Sequence, residues 1–214
     1  MLRHLPTVIP APPDRPEIAG PDHPIRVVTR QIAFEPDGWT DDRRGKVAEL
    51  FDGLAPEWHA RDAANRHEAA LDALKRGGPF APGVCIELGS GVGTFTPHLT
   101  EHLGPVLVAM DLSFEMLRRA PAAPAWRVLA DGSTLPVPTA SVAVLVMINM
   151  FLFPAEADRV LRPDGAVVWV SAMGDTTPIY LDAESVEAAL PGEWDGVAAA
   201  AGWGTWSVFR RARG

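Results

Sequence analysis

From Val84 onward, apolar runs of strand length alternate with amphipathic stretches of helical length, and this alternation limits the folds open to the chain. Two parallel strands need a long crossover connection, usually a helix, whereas antiparallel strands are joined by short turns. The repeated change from strand to helix therefore predicts β-α-β units on a largely parallel sheet, which is an α/β layer fold. The predicted strands are Val84–Leu88, Val106–Met110, Trp126–Leu129, Ser141–Ile148 and Ala166–Ser171.

The segments between and after these strands carry helix signals. Ser113 is a suitable N-cap, and Glu115 in the first turn with Arg118 in the last suits the helix dipole. Pro154 suits a first helical turn. The further predicted helices are Thr94–Leu103, Pro154–Leu161 and Asp182–Leu190, and the last predicted strands are Val197–Ala201 and Thr205–Arg210.

The chain has 214 residues, which suits a single core. Residues 1–24 are rich in Pro and lack periodic apolar positions, so we expect an extended arm that cannot fold by itself. Residues 25–214 are then one domain. Within this domain, residues 25–80 are predicted to be an N-terminal cap segment and residues 84–214 the core.

Helical patterns dominate the cap segment. Ile25–Phe34 contains a short β-prone run, but Thr40 begins a helical pattern that carries apolar residues at helical spacing on one face. A second helix is expected over Arg61–Lys75, and Gly77 and Gly78 are expected to end it. The sequence therefore predicts helices packed on one side of the core.

Composition and charge restrict the functional class. No apolar run approaches the roughly 20 residues that span a bilayer, and prolines and charges interrupt the N-terminus where a secretion signal would need an apolar stretch. We therefore expect a cytoplasmic protein that does not bind membranes. The formal net charge is −8, which disfavours nucleic acid as a partner. Cys85, the one cysteine, lies in an apolar strand pattern and is interpreted as a small buried hydrophobe.

The sequence Glu87-Leu88-Gly89-Ser90-Gly91-Val92-Gly93-Thr94 follows a predicted strand and opens a helix. Glycines let the backbone turn sharply and let a ligand approach its amides. The dinucleotide fingerprint G-x-G-x-x-G/A would place Gly or Ala where this chain has Thr94. Glu87 would also repel a diphosphate, whereas it suits a positively charged ligand without phosphate.

Two further acids follow predicted strands. Asp111 lies about 20 residues beyond the glycine-rich segment, where Rossmann-like folds place an acid that accepts hydrogen bonds from ribose hydroxyls. Asp131 and Gly132 follow the third predicted strand. An acid at either position is also typical of a helix start or a turn.

These motifs together resemble the class I S-adenosylmethionine-dependent methyltransferases. An acid two residues before G-x-G-x-G resembles motif I of that family, Asp111–Leu117 resembles its D-x-S-x-x-M-L turn, and Arg159–Gly165 resembles its R-V-L-x-P-G-G turn, with Asp164 in place of a glycine. The resemblance covers about residues 84–172.

The resemblance implies a Rossmann-like three-layer sandwich with a mostly parallel seven-stranded sheet and an antiparallel C-terminal strand. It also implies S-adenosyl-L-methionine as the cofactor, S-adenosyl-L-homocysteine as its product, and Asp131 at the adenine amine. The expected cofactor-binding residues are Glu87, Gly89, Ser90, Gly91, Gly93, Asp111, Leu112, Met116, Asp131, Gly132 and Asn149. We expect no metal.

The acceptor is predicted less directly than the donor. His59 lies between the two cap helices and is our candidate general base, and Asn149 ends the fourth strand at the edge where ligands gather. We expect a small-molecule acceptor and a monomer or homodimer. The residues that could form an apolar acceptor pocket are Phe151, Phe153, Met173 and Tyr180. An NAD-dependent oxidoreductase, a non-catalytic adenosyl-binding module, and a protein or RNA acceptor remain as alternatives.

Overall fold

The computed structural model describes residues 1–61, 66–104, 107–122 and 125–212. In these ranges, the centre of the molecule is an eight-stranded sheet with the strand order β1-β7-β8-β6-β5-β2-β3-β4. The strands are β1 (Leu2–His4), β2 (Val84–Leu88), β3 (Leu107–Asp111), β4 (Trp126–Leu129), β5 (Val142–Ile148), β6 (Leu161–Ser171), β7 (Trp194–Ala201) and β8 (Gly204–Arg211).

Helices cover both faces of this sheet. They are α1 (Pro24–Phe34), α2 (Asp41–Leu54), α3 (Glu68–Arg76), α4 (Thr96–Leu103), α5 (Phe114–Arg119), α6 (Pro154–Val160) and α7 (Ala183–Ala189), with 3-10 turns at Ala55–Arg61 and Gly174–Thr176. Buried apolar residues from alternate strand positions pack on each side, so that Ile86 lies in one core cluster and Cys85 in the other. Cys85 is buried, as predicted.

Strand directions confirm the predicted α/β Rossmann-like fold. β2 pairs in parallel with both β3 and β5, and β3 with β4 and β5 with β6 are also parallel. β8 runs antiparallel between β6 and β7, which confirms the antiparallel C-terminal strand. The chain passes from β2 to β3 and β4 on one side of β2 and then crosses to β5 on its other side. The carboxyl ends of β2, β3 and β5 therefore border a crevice where ligands bind in such folds.

The sheet has eight strands where seven were predicted, because the N-terminal arm contributes one. β1 pairs in parallel with β7, with Leu2 opposite Gly196. Without it, β7 would be an open edge with unpaired backbone groups. The arm is therefore extended, as expected, but its first residues are part of the sheet.

The β-prone interpretation of Ile25–Phe34 was wrong, because this segment is α1. Pro24 occupies its first turn, and the His23 side chain accepts a hydrogen bond from the Ile25 amide at the N-terminus. Val28 and Ile32 pack at helical spacing in the same cluster as Ile25. The β-branched residues suggested a strand, but their period is that of a helix.

Two other boundaries differ from the predictions. Instead of one helix over Arg61–Lys75, the structure has the 3-10 turn that ends at Arg61 and then α3, and residues 62–65 lie outside the described residues. The predicted turn at Pro163–Gly165 lies within β6, where the register with β5 shifts. Among the described residues, no helix is long and apolar enough to cross a membrane.

Candidate functional site

A cavity of about 500 Å³ lies at the carboxyl ends of β2, β3 and β5, beneath the N-terminal cap. Core residues supply the carboxyl groups of its lining, and arm and cap residues supply much of its apolar surface. Its lining includes Glu87, Gly89, Ser90, Gly91, Asp111, Leu112, Met116, Gly132, Asn149 and Met150 from the core, and Ile18, His23, Trp39, Val47, Leu50, Phe51, Leu54 and Trp58 from the arm and cap. All eleven predicted cofactor-binding residues lie in the core, and nine of them line this cavity; Gly93 and Asp131 do not.

The glycine-rich loop turns under the cavity with positive φ angles at Gly89 (76°), Gly91 (55°) and Gly93 (76°). Residues other than glycine rarely adopt these angles. A side chain at Gly89 would also collide with Met150, whose sulfur would lie 2.6 Å from an added Cβ. Glycine is therefore required here by both backbone conformation and space. Gly93 itself does not line the cavity, although it was predicted to bind the cofactor.

Ser90 presents a hydroxyl that is buried and has no hydrogen-bond partner among the described residues. Its backbone amide donates to the Met110 carbonyl, which fixes the loop against β3. Buried polar atoms are usually paired in native proteins. A hydroxyl that lacks a partner in the lining of a cavity is therefore a candidate ligand contact.

Glu87 lies at the end of β2 and is 2% exposed. Thr96 at the start of α4 donates its hydroxyl proton to this carboxyl group, at 2.6 Å. The pKa of Glu87 is raised to about 8, chiefly by burial; the Thr96 hydrogen bond opposes the rise and the nearby Asp111 adds to it. A cation in the cavity would reverse this effect by stabilising the carboxylate.

Asp111 ends β3 and joins the glycine-rich loop to α5. Its carboxylate accepts hydrogen bonds from the backbone amides of Gly91 (2.7 Å) and Ser113 (2.8 Å). Burial raises the pKa of Asp111, and these amides and that of Leu112 oppose the rise. The structure thus places Glu87 and Asp111 together in the cavity lining, and among the described residues neither carboxyl group has a cationic hydrogen-bond partner.

Asp131 is arranged differently from the expectation. Its carboxylate accepts hydrogen bonds from the Trp39 indole at 3.1 and 3.2 Å and from the Ser133 amide at 2.8 Å. Asp131 is not among the residues that line the cavity, whereas Trp39 and Gly132 are. The acid that the resemblance assigned to the adenine amine is therefore bound to a side chain of the cap.

Asn149 follows β5 and has a positive φ of 52°, which is uncommon for a residue with a side chain. Its side-chain oxygen accepts a hydrogen bond from the Ala172 amide at 2.8 Å. This bond fixes the Asn149 side chain at the cavity wall. Strained residues of this kind cluster at functional sites.

The structure does not bring His59 to the site. His59 is exposed on the 3-10 turn and does not line the cavity, whereas its neighbour Trp58 does. The histidine at the cavity is His23, which lies near the end of the arm and is the N-cap residue of α1. The sequence offered one signal for it, since Pro24 marks a helix start and the preceding residue is its N-cap.

His23 has one ring nitrogen already engaged. Its Nδ1 accepts the Ile25 amide proton at 3.2 Å. In the neutral imidazole the other nitrogen, Nε2, then carries the proton. His23 in this arrangement is a hydrogen-bond donor to a ligand and not a proton acceptor.

Aromatic and apolar side chains form the remaining walls. Phe151, Phe153 and Met173 line the cavity, but Tyr180 does not, because its ring stacks beneath the Arg26 guanidinium at 5.0 Å. Trp39 and Trp58 were missed by sequence reasoning, because neither belongs to a motif. The apolar face of α2, which looked like an ordinary core face, also borders this cavity.

Comparisons with known proteins agree with this fold. Residues 86–169 match the model of a protein family described as a methyltransferase domain. The chain is similar to the solved S-adenosylmethionine-dependent methyltransferase of Thermotoga maritima, with 14% identity, a TM-score of 0.59, and coverage of 77% of this chain and 99% of that one. It is also similar to the solved S-adenosylmethionine-dependent methyltransferase of Aquifex aeolicus, with 17% identity, a TM-score of 0.56, and coverage of 78% of this chain and 96% of that one.

Three other solved structures are 23%, 28% and 24% identical to the chain, which spans 59%, 46% and 55% of their own lengths. A search of curated proteins gives no match. The predicted resemblance to class I, Rossmann-like methyltransferases is confirmed by the family model together with the shared fold.

Proposed function

We propose that the protein transfers a methyl group from S-adenosyl-L-methionine to a small-molecule acceptor. The match of residues 86–169 to a methyltransferase-domain family model and the shared Rossmann-like fold support this proposal. One observation carries this proposal. The lining of one cavity combines two carboxyl groups at the glycine-rich loop, which have no cationic hydrogen-bond partner among the described residues, with apolar and aromatic side chains. A donor with a positive charge fits the carboxyl groups, and an apolar acceptor fits the aromatic surface.

The residues present fit the donor. The turn at Gly89–Gly91 leaves space that a Cβ would fill, and the Ser90 hydroxyl is available for a hydrogen bond. Glu87 would hold the ammonium end of the donor, and Asp111 the ribose hydroxyls. Leu112, Met116 and Gly132 would border the adenine. The bound donor supplies a methyl group that its sulfonium already activates.

The protein's own part is to align the acceptor and exclude water. Phe151 and Phe153 are 2% and 7% exposed, and Met173 is 2% exposed, so this wall is largely dry. His23 would donate a hydrogen bond from Nε2 to an oxygen or nitrogen of the acceptor, which orients it. The net charge of −8 supports a small molecule over nucleic acid as the acceptor. A cytoplasmic location and a monomer or homodimer remain expectations from the sequence.

The alternatives make different demands on the same cavity. A dinucleotide would bring a diphosphate to the loop, where the buried Glu87 and Asp111 disfavour negative charge. A non-catalytic adenosyl-binding module would bind the donor without transferring its methyl group. The apolar surface formed by Phe151, Phe153 and Met173 supports an enzyme, since a module that only bound the donor would need no surface for an acceptor.

Calorimetry and isotope transfer test the proposal together. We expect S-adenosyl-L-homocysteine to bind and NADH not to bind. With donor labelled in its methyl group and a metabolite extract, we expect label in a small organic product. NADH binding in preference to S-adenosyl-L-homocysteine would support the oxidoreductase, and donor binding without any transfer would support the non-catalytic module.

A further inference from the structure

Trp39 and Asp131 connect the cap to the core across 92 positions of sequence. The Trp39 indole nitrogen donates to both carboxylate oxygens of Asp131, at 3.1 and 3.2 Å. The Arg44 guanidinium lies 3.6 Å from the same carboxylate, and the Ser133 amide donates to it at 2.8 Å. The Asp131 side chain is 18% exposed. Its oxygens are therefore already engaged by four polar contacts within the protein.

The Trp39 ring, in contrast, faces the cavity. It packs edge-on against Phe153, with ring centroids 5.3 Å apart, and lies 6.1 Å from Phe151. Phe153 in turn packs against Gly132, where an added Cβ would lie 2.7 Å from the phenylalanine ring. Trp39 is thus held from two sides, by its polar edge at Asp131 and by an aromatic contact at Phe153.

Trp39 also fixes the start of α2. It directly precedes Thr40, whose side chain accepts a hydrogen bond from the Arg43 amide and caps this helix. The apolar face of α2 lines the cavity through Val47, Phe51 and Leu54. The contact between Trp39 and Asp131 therefore holds both the Trp39 ring and the first turn of α2 against the core.

We propose that Asp131 is a positioning residue that acts through Trp39, and that the Trp39 ring is the surface against which the flat heteroaromatic ring of the bound donor packs. The inference rests on the proposed function, because it takes the donor to be an adenosine derivative. Indole rings stack on bases through their π faces. Asp131 does not line the cavity, whereas Trp39 does, so its carboxylate is placed to hold the indole and not the ligand.

A double-mutant cycle tests the coupling. The affinity for S-adenosyl-L-homocysteine is measured by calorimetry for the wild type, Trp39→Phe, Asp131→Ala and the double variant. Coupled neighbours show interaction energies that correspond to about twofold to 150-fold changes in affinity. We expect each single variant to lose affinity in that range, and the double variant to bind within twofold of the weaker single variant. Independent losses that multiply would overturn the inference.

A second comparison tests the ring. Trp39→Ala removes the aromatic surface that Trp39→Phe retains, and stacking on a base is worth about 1–3 kcal/mol, or roughly fivefold to 150-fold in affinity. We therefore expect Trp39→Ala to bind at least fivefold more weakly than Trp39→Phe. Equal affinities of these two variants would show that the ring does not contact the ligand and would overturn the inference.

Two controls separate this contact from general effects. Arg44→Ala removes another partner of Asp131 but leaves Trp39 in place, and Trp203→Phe removes an indole that donates to the Pro12 carbonyl away from the cavity. Both should bind within twofold of the wild type. Thermal unfolding of all variants identifies any that fail to fold. Failure of the wild type to bind the ligand would overturn this inference and the proposed function together, whereas wild-type binding with multiplying losses overturns the inference alone.

Discussion

The backbone amide of Gly91 donates a hydrogen bond to the Asp111 carboxylate at 2.7 Å, and this bond ties the glycine-rich loop after β2 to the end of β3. The same carboxylate receives the Ser113 amide at the start of α5. Two loops that border the cavity are therefore fixed by one side chain. The arrangement explains why glycine and aspartate occur together about 20 residues apart in ligand-binding folds of this type.

Replacing Asp111 should weaken donor binding. We expect Asp111→Ala to reduce the affinity for S-adenosyl-L-homocysteine by about 1–3 kcal/mol, because it removes charge-assisted hydrogen bonds to the ligand and to the loop. Calorimetry measures this loss. Asp164→Ala is a matched control, since Asp164 is exposed in β6, pairs with Arg162 and does not line the cavity. Unchanged affinity of Asp111→Ala would remove Asp111 from the site.

Donor binding should release a proton from Glu87 below pH 8. The free carboxyl group has a pKa of about 8, and a bound ammonium group favours its charged form, so binding must displace the proton. The affinity should therefore rise with pH, by up to about tenfold per unit between pH 6 and 8, and level off above. Calorimetry in buffers of different ionisation enthalpy measures the released proton.

Glu87→Gln is the control for this linkage, because the amide cannot release a proton. Its affinity should be lower above pH 8 and should vary less with pH below it. A wild-type protein that binds the donor with no proton release at pH 7 would contradict the role assigned to Glu87.

The same carboxyl group should make the free protein less stable as the pH rises. Between about pH 4.5 and 8, the folded protein keeps the Glu87 proton that the unfolded chain has released, so the free energy of unfolding falls with pH. The slope is up to about 1.4 kcal/mol per pH unit. We expect the stability of Glu87→Gln relative to the wild type to increase from pH 5 to pH 8 in chemical denaturation. The exposed Glu193→Gln serves as the matched control.

A side chain at Gly89 should destabilise the protein and disturb the site. Gly89→Ala combines a positive φ with a collision against the Met150 side chain, and the positive φ alone costs about 1–2 kcal/mol. Gly53→Ala is the matched control, because this glycine lies within α2 and an added Cβ meets nothing within 4 Å. It should stabilise the protein by up to about 1 kcal/mol. Equal denaturation midpoints of the two variants would contradict the assignment.

Replacement of His23 and replacement of His59 should differ in their effect on the rate of methyl transfer. We expect His23→Ala to reduce label transfer to the extract product without weakening donor binding, because His23 lines the cavity and is proposed to orient the acceptor. His59→Ala should leave the transfer rate within about twofold of the wild type, as is usual for exposed residues. The opposite result would return the catalytic role to His59. Initial rates with labelled donor measure both variants.

The sequence predicted most of the core, because its signals are local. Apolar runs located β2 to β8 within a few residues, and the cap residues Ser113 and Asp182 marked the starts of α5 and α7. The segment at Ile25 was mistaken for a strand because its β-branched residues outweighed their helical spacing. The strand β1 could not be predicted, since three residues of an arm form a strand only when a neighbouring edge is open to them.

The residues of the candidate site also fall into two groups, those predicted from the sequence and those found only in the structure. Glu87, Gly91 and Asp111 were found from the sequence because the backbone turn and the adjacent strand end impose their residue types at fixed spacing. The sequence alone thus determined the α/β core, the glycine-rich turn and the acids at the strand ends. Only the tertiary structure decided that Trp39 engages Asp131, that His23 and not His59 reaches the cavity, and that α2 faces a cavity. Each of these depends on a contact between residues far apart in the chain, and such contacts leave no local pattern in the sequence.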